Sequence, residues 1–462
     1  MMQAQFHRFS ILPLVALAMC GSAGAGTKTD RPPNVVFILA DDLGFGDLGC
    51  YGQKLIQTPN LDQMAREGVR FRQFYAGSTV CAPSRCVLMT GRHTGHCTVR
   101  GNALVPLRLD DLTVAELLHR RGYATALIGK WGLGEPGSTG IPNRKGFDEF
   151  FGYLNQQHAH NYYPDYLWRN ETRVPLENEL SSVSGVSSVR RQYAPDLITT
   201  EALAFLERRH KEPFFLYLTY IQPHANNERG RSEGNGMETP ADAPYSDRDW
   251  PQPQRNHAAM ITALDRDVGR VLQRIKDLGI DDETIVFFSS DNGPHQEGGA
   301  DPKFFSSSGP LRGIKRDLTE GGIRVPLIVR GPGRVAEGRE CDAVSWFADF
   351  LPTAAALAGT MAPEGLDGVS LAPLLSDPAA ALPERPLYWE FHERGFQQAV
   401  RLNNWKGIRL KPGQPVELYD LASDPGEQRN IAADHRAVTT LIARLMITSR
   451  TESAEFPVKN QP

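Results

Sequence analysis

The chain has 462 residues, 40% of them hydrophobic and 23% charged, with a formal net charge of -4. This is ordinary globular composition with enough apolar content for a sizeable core, and the charge balance argues against nucleic acid as the main partner. The length corresponds to about three domains, which large α/β enzymes often merge, and an anionic substrate would need a positive field confined to its site.

In chain order, Arg8, the apolar stretch Ile11 to Met19 and the small residues Ala23-Gly24-Ala25 predict a secretory leader over residues 1–25. That stretch is too short to span a bilayer, so the protein is expected to be secreted or periplasmic. Leu17-Ala18-Met19-Cys20 loosely resembles a lipoprotein cleavage box, but Met19 is too large for the small residue usual there. A lipid anchor at Cys20 is therefore the lesser alternative. No later run is long and apolar enough for a membrane span. Cys50, Cys86, Cys97 and Cys341 remain for disulfides, which export permits. Their spacing specifies no pairing and does not suggest zinc.

Asn34 to Ala40 is a continuous apolar, β-branched run, the pattern of a parallel strand buried on both faces. It ends in Asp41-Asp42. Thr58 to Gly68 reads as a helix with Asn60 as cap and Gly68 as stop. A strand-like run, Phe71 to Tyr75, leads to Cys81-Ala82-Pro83-Ser84-Arg85, which opens a helical run closed by Gly91. Leu112 to Arg121 reads as a helix, and Tyr123 to Ile128 as a second buried strand ending in Gly129-Lys130-Trp131-Gly132. Gly146 to Tyr166 is aromatic and polar. Ala194 to Arg209 looks helical, and Phe214 to Ile221 is a third buried strand ending in Gln222-Pro223-His224. Asn226 to Asn256 reads as a long surface loop. Met260 to Leu278 carries apolar residues at helical spacing. Thr284 to Phe288 is a fourth buried strand ending at Asp291-Asn292-Gly293, and Val325 to Val329 a fifth. From about Pro383 short alternating segments predict a small antiparallel sheet with a last helix near Arg436 to Thr448. The fold class is thus α/β: a large, mostly parallel sheet between helices, plus a small antiparallel sheet with a helix. The expected boundaries are 26–382 for a catalytic domain and 383–462 for a C-terminal α+β subdomain.

Cys81 is expected just before a helix N-terminus, where free N–H groups and the dipole favour anions and lower a thiol pKa. Arg85 adds a fixed cation with a fork of donors. Four strand-like runs end in Asp41-Asp42, Lys130, His224 and Asp291-Asn292, and ligands of open parallel sheets bind beyond such carboxyl ends. Asp41, Asp42, Asp291 and Asn292 offer hard oxygen donors, and three crowded carboxylates would repel strongly without a cation. Such donors suit calcium or magnesium rather than zinc.

Cys-x-Pro-x-Arg is also the core of the sulfatase signature, and the chain resembles that family of the alkaline-phosphatase-like superfamily, in particular arylsulfatase A and N-acetylgalactosamine-6-sulfatase types. The resemblance runs from about Pro33 into the C-terminal region, through Asp41-Asp42, Gly129-Lys130-Trp131, Pro223-His224, Asp291-Asn292-Gly293, Lys315 with Glu320 to Pro326, and Leu418 to Leu421 with Asp424-Pro425. It implies that a separate maturation enzyme oxidises Cys81 to formylglycine. It also implies that Asp41, Asp42, Asp291, Asn292 and the residue at 81 hold a calcium ion, with magnesium as the alternative. The implied catalytic set is Cys81, Arg85, Lys130, His224 and Lys315, with His224 as candidate general acid.

One departure stands out. Many members read Gly-Lys-Trp-His, with a histidine that helps eliminate sulfate; here the position is Gly132. His158 or His160 is the expected stand-in, loop packing or substrate contact being the other account, and His295 is a candidate substrate contact. His93 and His96 read as packing residues, and His392 and Arg394 as surface. The expected substrate is a sulfated saccharide, on the strength of the polar aromatic loop Asn155 to Trp168 and the long loop after His224. An aryl sulfatase, a phosphate or phosphonate monoester hydrolase and an inactive binding homologue are the alternatives.

Overall fold

A computed structural model describes residues 31–458 together with Met1, Met2 and Gln5. The leader and the alternative anchor at Cys20 lie outside the described residues. The strand Asn34–Asp41 is buried along all eight residues. It lies between Thr284–Ser290 and Phe214–Pro223, parallel to both, with Val36 opposite Val286 on one side and Leu216 on the other. Successive strand residues face opposite ways, so Val35, Phe37 and Leu39 enter one core with the helices Cys81–Thr90 and Phe350–Leu357. Val36, Ile38 and Ala40 enter the other with the helices Ala194–Arg209 and Gln252–Asp277. In the first core Phe37 stacks on Phe287 and meets Phe350 edge-on at 4.6 Å.

The parallel block continues through Ala124–Lys130 to Glu149–Tyr153. Ten strands form the central sheet, and antiparallel pairings begin on both sides of this five-strand block. The run Val325 to Val329 forms the strand Leu327–Arg330, antiparallel to Thr284–Ser290. A continuous apolar run reports burial on both faces but not chain direction.

Three local expectations are corrected. The first α-helix spans Pro59–Arg66 with Thr58, not Asn60, at its N-cap, because Pro59 supplies the fixed first-turn φ; Gly68 opens the strand Gly68–Phe71 instead of ending the helix. The loop after His224 contains the helix Asn227–Glu233, capped by the Asn226 side chain accepting from Arg229 N–H at 2.9 Å. The long helix begins at Gln252, eight residues before Met260. Its first turns bury polar side chains, Gln254 donating to Gly299 O and Asn256 to Met237 O, so no apolar period announces them.

The C-terminal strands Leu387–Phe391, Gln397–Leu402, Trp405–Arg409 and Glu417–Asp420 form a four-stranded antiparallel sheet, with the helix Arg436–Thr448 packed against it. Trp389 Nε1 donates to Ala76 O at 2.9 Å. Lys406, wholly buried, reaches Glu320 and Glu427 at 2.9 Å each, and Tyr75 OH donates to Glu320 at 2.6 Å. Glu320, which begins the Glu-Gly-Gly-Ile-Arg-Val-Pro segment, is thus a clamp between the two sheets. Among the described residues no helix is long and apolar enough to cross a membrane.

Candidate active site

The helix Cys81–Thr90 starts at Cys81 itself, follows the extended Val80, and ends on Gly91 at φ 67°, whose N–H bonds Val87 O. Cys81 is therefore the first helical residue rather than the one before it. Asn102 Oδ1 accepts from Ala82 N–H at 3.0 Å, satisfying one free donor of this helix start. The thiol is not activated in the way its position suggested: burial first, and Asp41 next, push its pKa well above the ordinary value against the pull of Lys130 and Lys315. It is a neutral S–H donating to Asp41 Oδ1 at 3.3 Å.

The strand ends converge as the sequence implied. Lys130 Nζ reaches Asp41 Oδ2 at 2.5 Å. Lys315 Nζ reaches Asp42 Oδ2 at 2.8 Å and His224 Nε2 at 3.1 Å. Asn292 Nδ2 donates to Asp42 Oδ1 at 2.7 Å, and Asp42 N–H to Asp291 Oδ1 at 3.1 Å. Asp42 itself adopts φ 66°, a left-handed conformation of the kind kept at functional turns. Its carboxylate pairs with Lys315 one residue past the strand end.

Arg85 is a brace beneath this cluster. Its Nε and Nη2 donate to Asp291 Oδ2 at 3.0 and 2.8 Å and its Nη1 to Lys130 O at 2.7 Å, with the side chain wholly buried. It positions Asp291 and the Lys130 strand end; all three of these bonds are to protein.

Three carboxylates do crowd together, but Arg85, Lys130 and Lys315 pair with them directly. Charge repulsion alone therefore does not demand a metal. Asp41 is pushed up by burial, but Lys130, His224 and Arg85 outweigh this and hold it well below the carboxylate range. Burial, followed by the Asp41 charge, raises Asp291 to about 7. The better argument for a cation is Asn292: its Oδ1 is buried and accepts no hydrogen bond among the described residues, while its Nδ2 is held by Asp42 and Gly293 O. An orphaned carbonyl oxygen beside Asp291 and Asp42 fits a hard cation.

His224 donates Nδ1–H to Ala225 O at 2.7 Å, so its Nε2 is the bare nitrogen that accepts from Lys315. Burial, reinforced by Lys315, holds the imidazole well below its usual range. His160 stacks on His224 at 4.8 Å and donates Nδ1–H to Glu228 at 3.0 Å. His295 is committed at both nitrogens, to Pro223 O and Glu297 N–H. His158 lies against the rings of Tyr153 and Tyr166, its two nitrogens without a hydrogen-bond partner among the described residues and its pKa lowered by burial to about 4. Of the two histidines expected to replace the side chain missing at Gly132, only His160 touches His224. His93 and His96 stack on each other and bond Asp367. Glu393 Oε1 accepts from Asn102 N–H at 3.4 Å and Arg394 pairs with Asp317 at 3.5 Å, so the segment after His392 lies at the rim of the helix start.

Two neighbours of the cluster carried no signal in the sequence: Asn102 and Glu297, which lies 3.6 Å from Lys315. Each sits in an irregular segment, where polar residues are the norm and no period singles one out.

Carboxylates, lysines and a nucleophile position gathered at the carboxyl ends of a parallel block define an ester hydrolase of the alkaline-phosphatase-like class. A profile of the sulfatase family matches residues 33–360, and one described as N-sulphoglucosamine sulphohydrolase, C-terminal, matches residues 314–452. Arylsulfatase A of Homo sapiens is 34% identical over 468 residues, covering 88% of this chain and 85% of that protein. N-acetylgalactosamine-6-sulfatase of Sus scrofa is 32% identical over 466 residues, covering 89% and 84%. A crystal structure of Ps i-CgsB in complex with k-i-k-neocarrahexaose is similar at a TM-score of 0.78 and 28% identity, covering 93% of this chain and 96% of that one. The chain belongs to the sulfatase family: it is a sulfuric ester hydrolase, of a formylglycine-dependent, metal-binding family.

Proposed function

We propose that the protein is a secreted or periplasmic sulfatase acting on a sulfated carbohydrate. In this reading a maturation enzyme converts Cys81 to formylglycine, and Asp41, Asp42, Asp291 and Asn292 hold calcium, or magnesium, beside it. The observation that carries it is the convergence of these four residues with Lys130, Lys315 and His224 on one buried cluster at position 81. The saccharide is supported by the relatives: one is named for N-acetylgalactosamine 6-sulfate chemistry and one structure holds a neocarrahexaose.

When present, the hydrated aldehyde supplies the nucleophilic oxygen and the metal ion supplies Lewis acidity. The remaining work falls to side chains in place. Asp41 Oδ1, 3.3 Å from Sγ, is the acceptor within reach of a proton at position 81. Lys130 keeps that carboxylate oriented and ionised. Lys315 Nζ donates to the bare His224 Nε2 at 3.1 Å, and this pair, rather than a free imidazolium, is the acid for the departing oxygen. His160, with Nδ1–H held by Glu228, presents Nε2 as a base. Burial of Asp41, Lys130, His224 and Lys315 strengthens their interactions by excluding water.

The test is mass spectrometry of the peptide holding position 81, followed by sulfate release from sulfated saccharides and from aryl sulfates. Conversion at 81 with faster saccharide turnover is expected. A fully converted, calcium-loaded enzyme that frees sulfate only from aryl esters overturns the carbohydrate reading, and one that frees none overturns the whole proposal.

A further inference from the structure

Gly132 lies two residues beyond Lys130, at φ 82°, with its N–H bonded to Leu154 O at 3.0 Å. The volume its side chain would take is already filled. A Cβ built there would stand 2.0 Å from Gln156 Nε2 and 2.7 Å from Gln156 Cδ, far inside contact distance. The occupant is a carboxamide from the loop after the strand Glu149–Tyr153.

That carboxamide is held by a rigid surround yet left unused. Asn155 donates to both oxygens of Glu135 at 2.9 Å and accepts from the N–H groups of Gln157 and His158. Four residues on, His160 stacks on His224. Between these anchored neighbours Gln156 Nε2 is buried with no hydrogen-bond partner among the described residues. A buried donor left unmade is costly. Its surroundings explain what it is for. Lys130 and Lys315 spend their charge on Asp41 and Asp42, so a neutral N–H donor adds to the site what the lysines do not have to spare. The sulfuryl oxygens of a sulfate ester only accept.

We propose that Gln156 is a substrate-binding residue whose Nε2–H donates to a sulfuryl oxygen of the ester from the space beside Gly132. The inference rests on the sulfatase reading and deepens it. A glutamine neither takes nor releases a proton near neutral pH, so it binds and orients, and leaves proton transfer to the histidine and lysine side chains around it.

The experiment compares parent, Gln156→Ala and the isosteric Gln156→Glu, all converted at position 81 and calcium-loaded. It measures kcat and KM for one sulfated saccharide, thermal midpoint, and affinity for inorganic sulfate. The loss of a hydrogen bond to a charged group predicts a rise in KM of about tenfold or more for Gln156→Ala. The carboxylate of Gln156→Glu should repel the anion and raise KM further. Both variants should keep the parent's thermal midpoint and bind inorganic sulfate correspondingly less. KM and sulfate affinity within about twofold of the parent in both variants overturn the inference, as does a fall in thermal midpoint with sulfate affinity intact. Should the parent release no sulfate from any ester, the proposed function fails, and sulfate affinity alone decides this point: equal affinity, or none, in all three proteins overturns it.

Discussion

At the scale of single residues, the site is a set of pairs in which each partner limits what the other can do. Lys315 is shared between Asp42 and His224, so removing it strips charge from the acid and the metal sides together. Lys315→Ala is expected to lower kcat by about 10²–10³-fold, the cost of one preorganised charged donor, in a protein whose thermal midpoint shows it still folds. His160→Ala and Glu228→Gln should each lower kcat by about 10²-fold, the contribution of a positioned base, with KM little changed. Retention of full kcat by both would remove His160 from the chemistry. Most of these residues were legible because apolar strand runs stop abruptly at Asp41-Asp42, Lys130, His224 and Asp291-Asn292. Their protonation was not. Whether Cys81 is a thiolate, or His224 an acid, depends on burial and on partners far away in the sequence, and no local pattern records either. Gln156 was legible only as part of the polar aromatic loop, since its place beside Gly132 exists only once the loop has folded back.

At the scale of elements, the buried Lys406 joins the C-terminal sheet to Glu320 and Glu427. Glu320 is pushed up by burial, but Lys406, Arg324 and Arg401 outweigh this and hold it down to about 2. Burial raises Glu427 against the pull of the same lysine. The two carboxylates share one ammonium, so their affinities separate and the proton goes to Glu427. A carboxyl depressed on folding contributes stability that is complete above its unfolded pKa of about 4.5 and is lost as pH falls toward 2. Thermal midpoints should therefore decline through that window. Lys406→Met should flatten the decline while costing about 3–5 kcal/mol near neutral pH, the penalty of leaving a buried carboxylate unpaired. Strand and helix existence was readable from periodicity, including Ala194–Arg209 and Arg436–Thr448 to the residue. The reversed direction of Leu327–Arg330 and the polar start of the long helix were not, because direction leaves no trace in composition and a helix face buried by hydrogen bonds looks like a loop.

At the scale of the whole molecule, two sheets and their helices keep one cluster dry, and a bound cation should stabilise the fold as well as the chemistry. Chelation is expected to lower the thermal midpoint and abolish sulfate release, and added calcium to restore both. A ligand at a hundredfold its dissociation constant contributes about 2.7 kcal/mol. An unchanged midpoint on chelation would show that Arg85, Lys130 and Lys315 suffice to balance the three carboxylates. The assignment to α/β architecture with a small antiparallel sheet was legible because long buried runs and short alternating ones occupy different parts of the chain. The sheet's mixed pairing at its flanks needed the structure.

All ten residues of the helix that begins at Cys81 are shielded from solvent. A modifying enzyme could not grip that segment on a finished molecule without dismantling the core of the sheet. On the proposed maturation of Cys81, the competence of each molecule would be decided once, during the brief interval before the chain closes over the thiol. A preparation should be a fixed mixture of live and dead copies, its ratio set by a race between modification and folding. Offering the maturation enzyme to folded protein should leave that ratio untouched, whereas an unfolded peptide carrying the same segment should be converted.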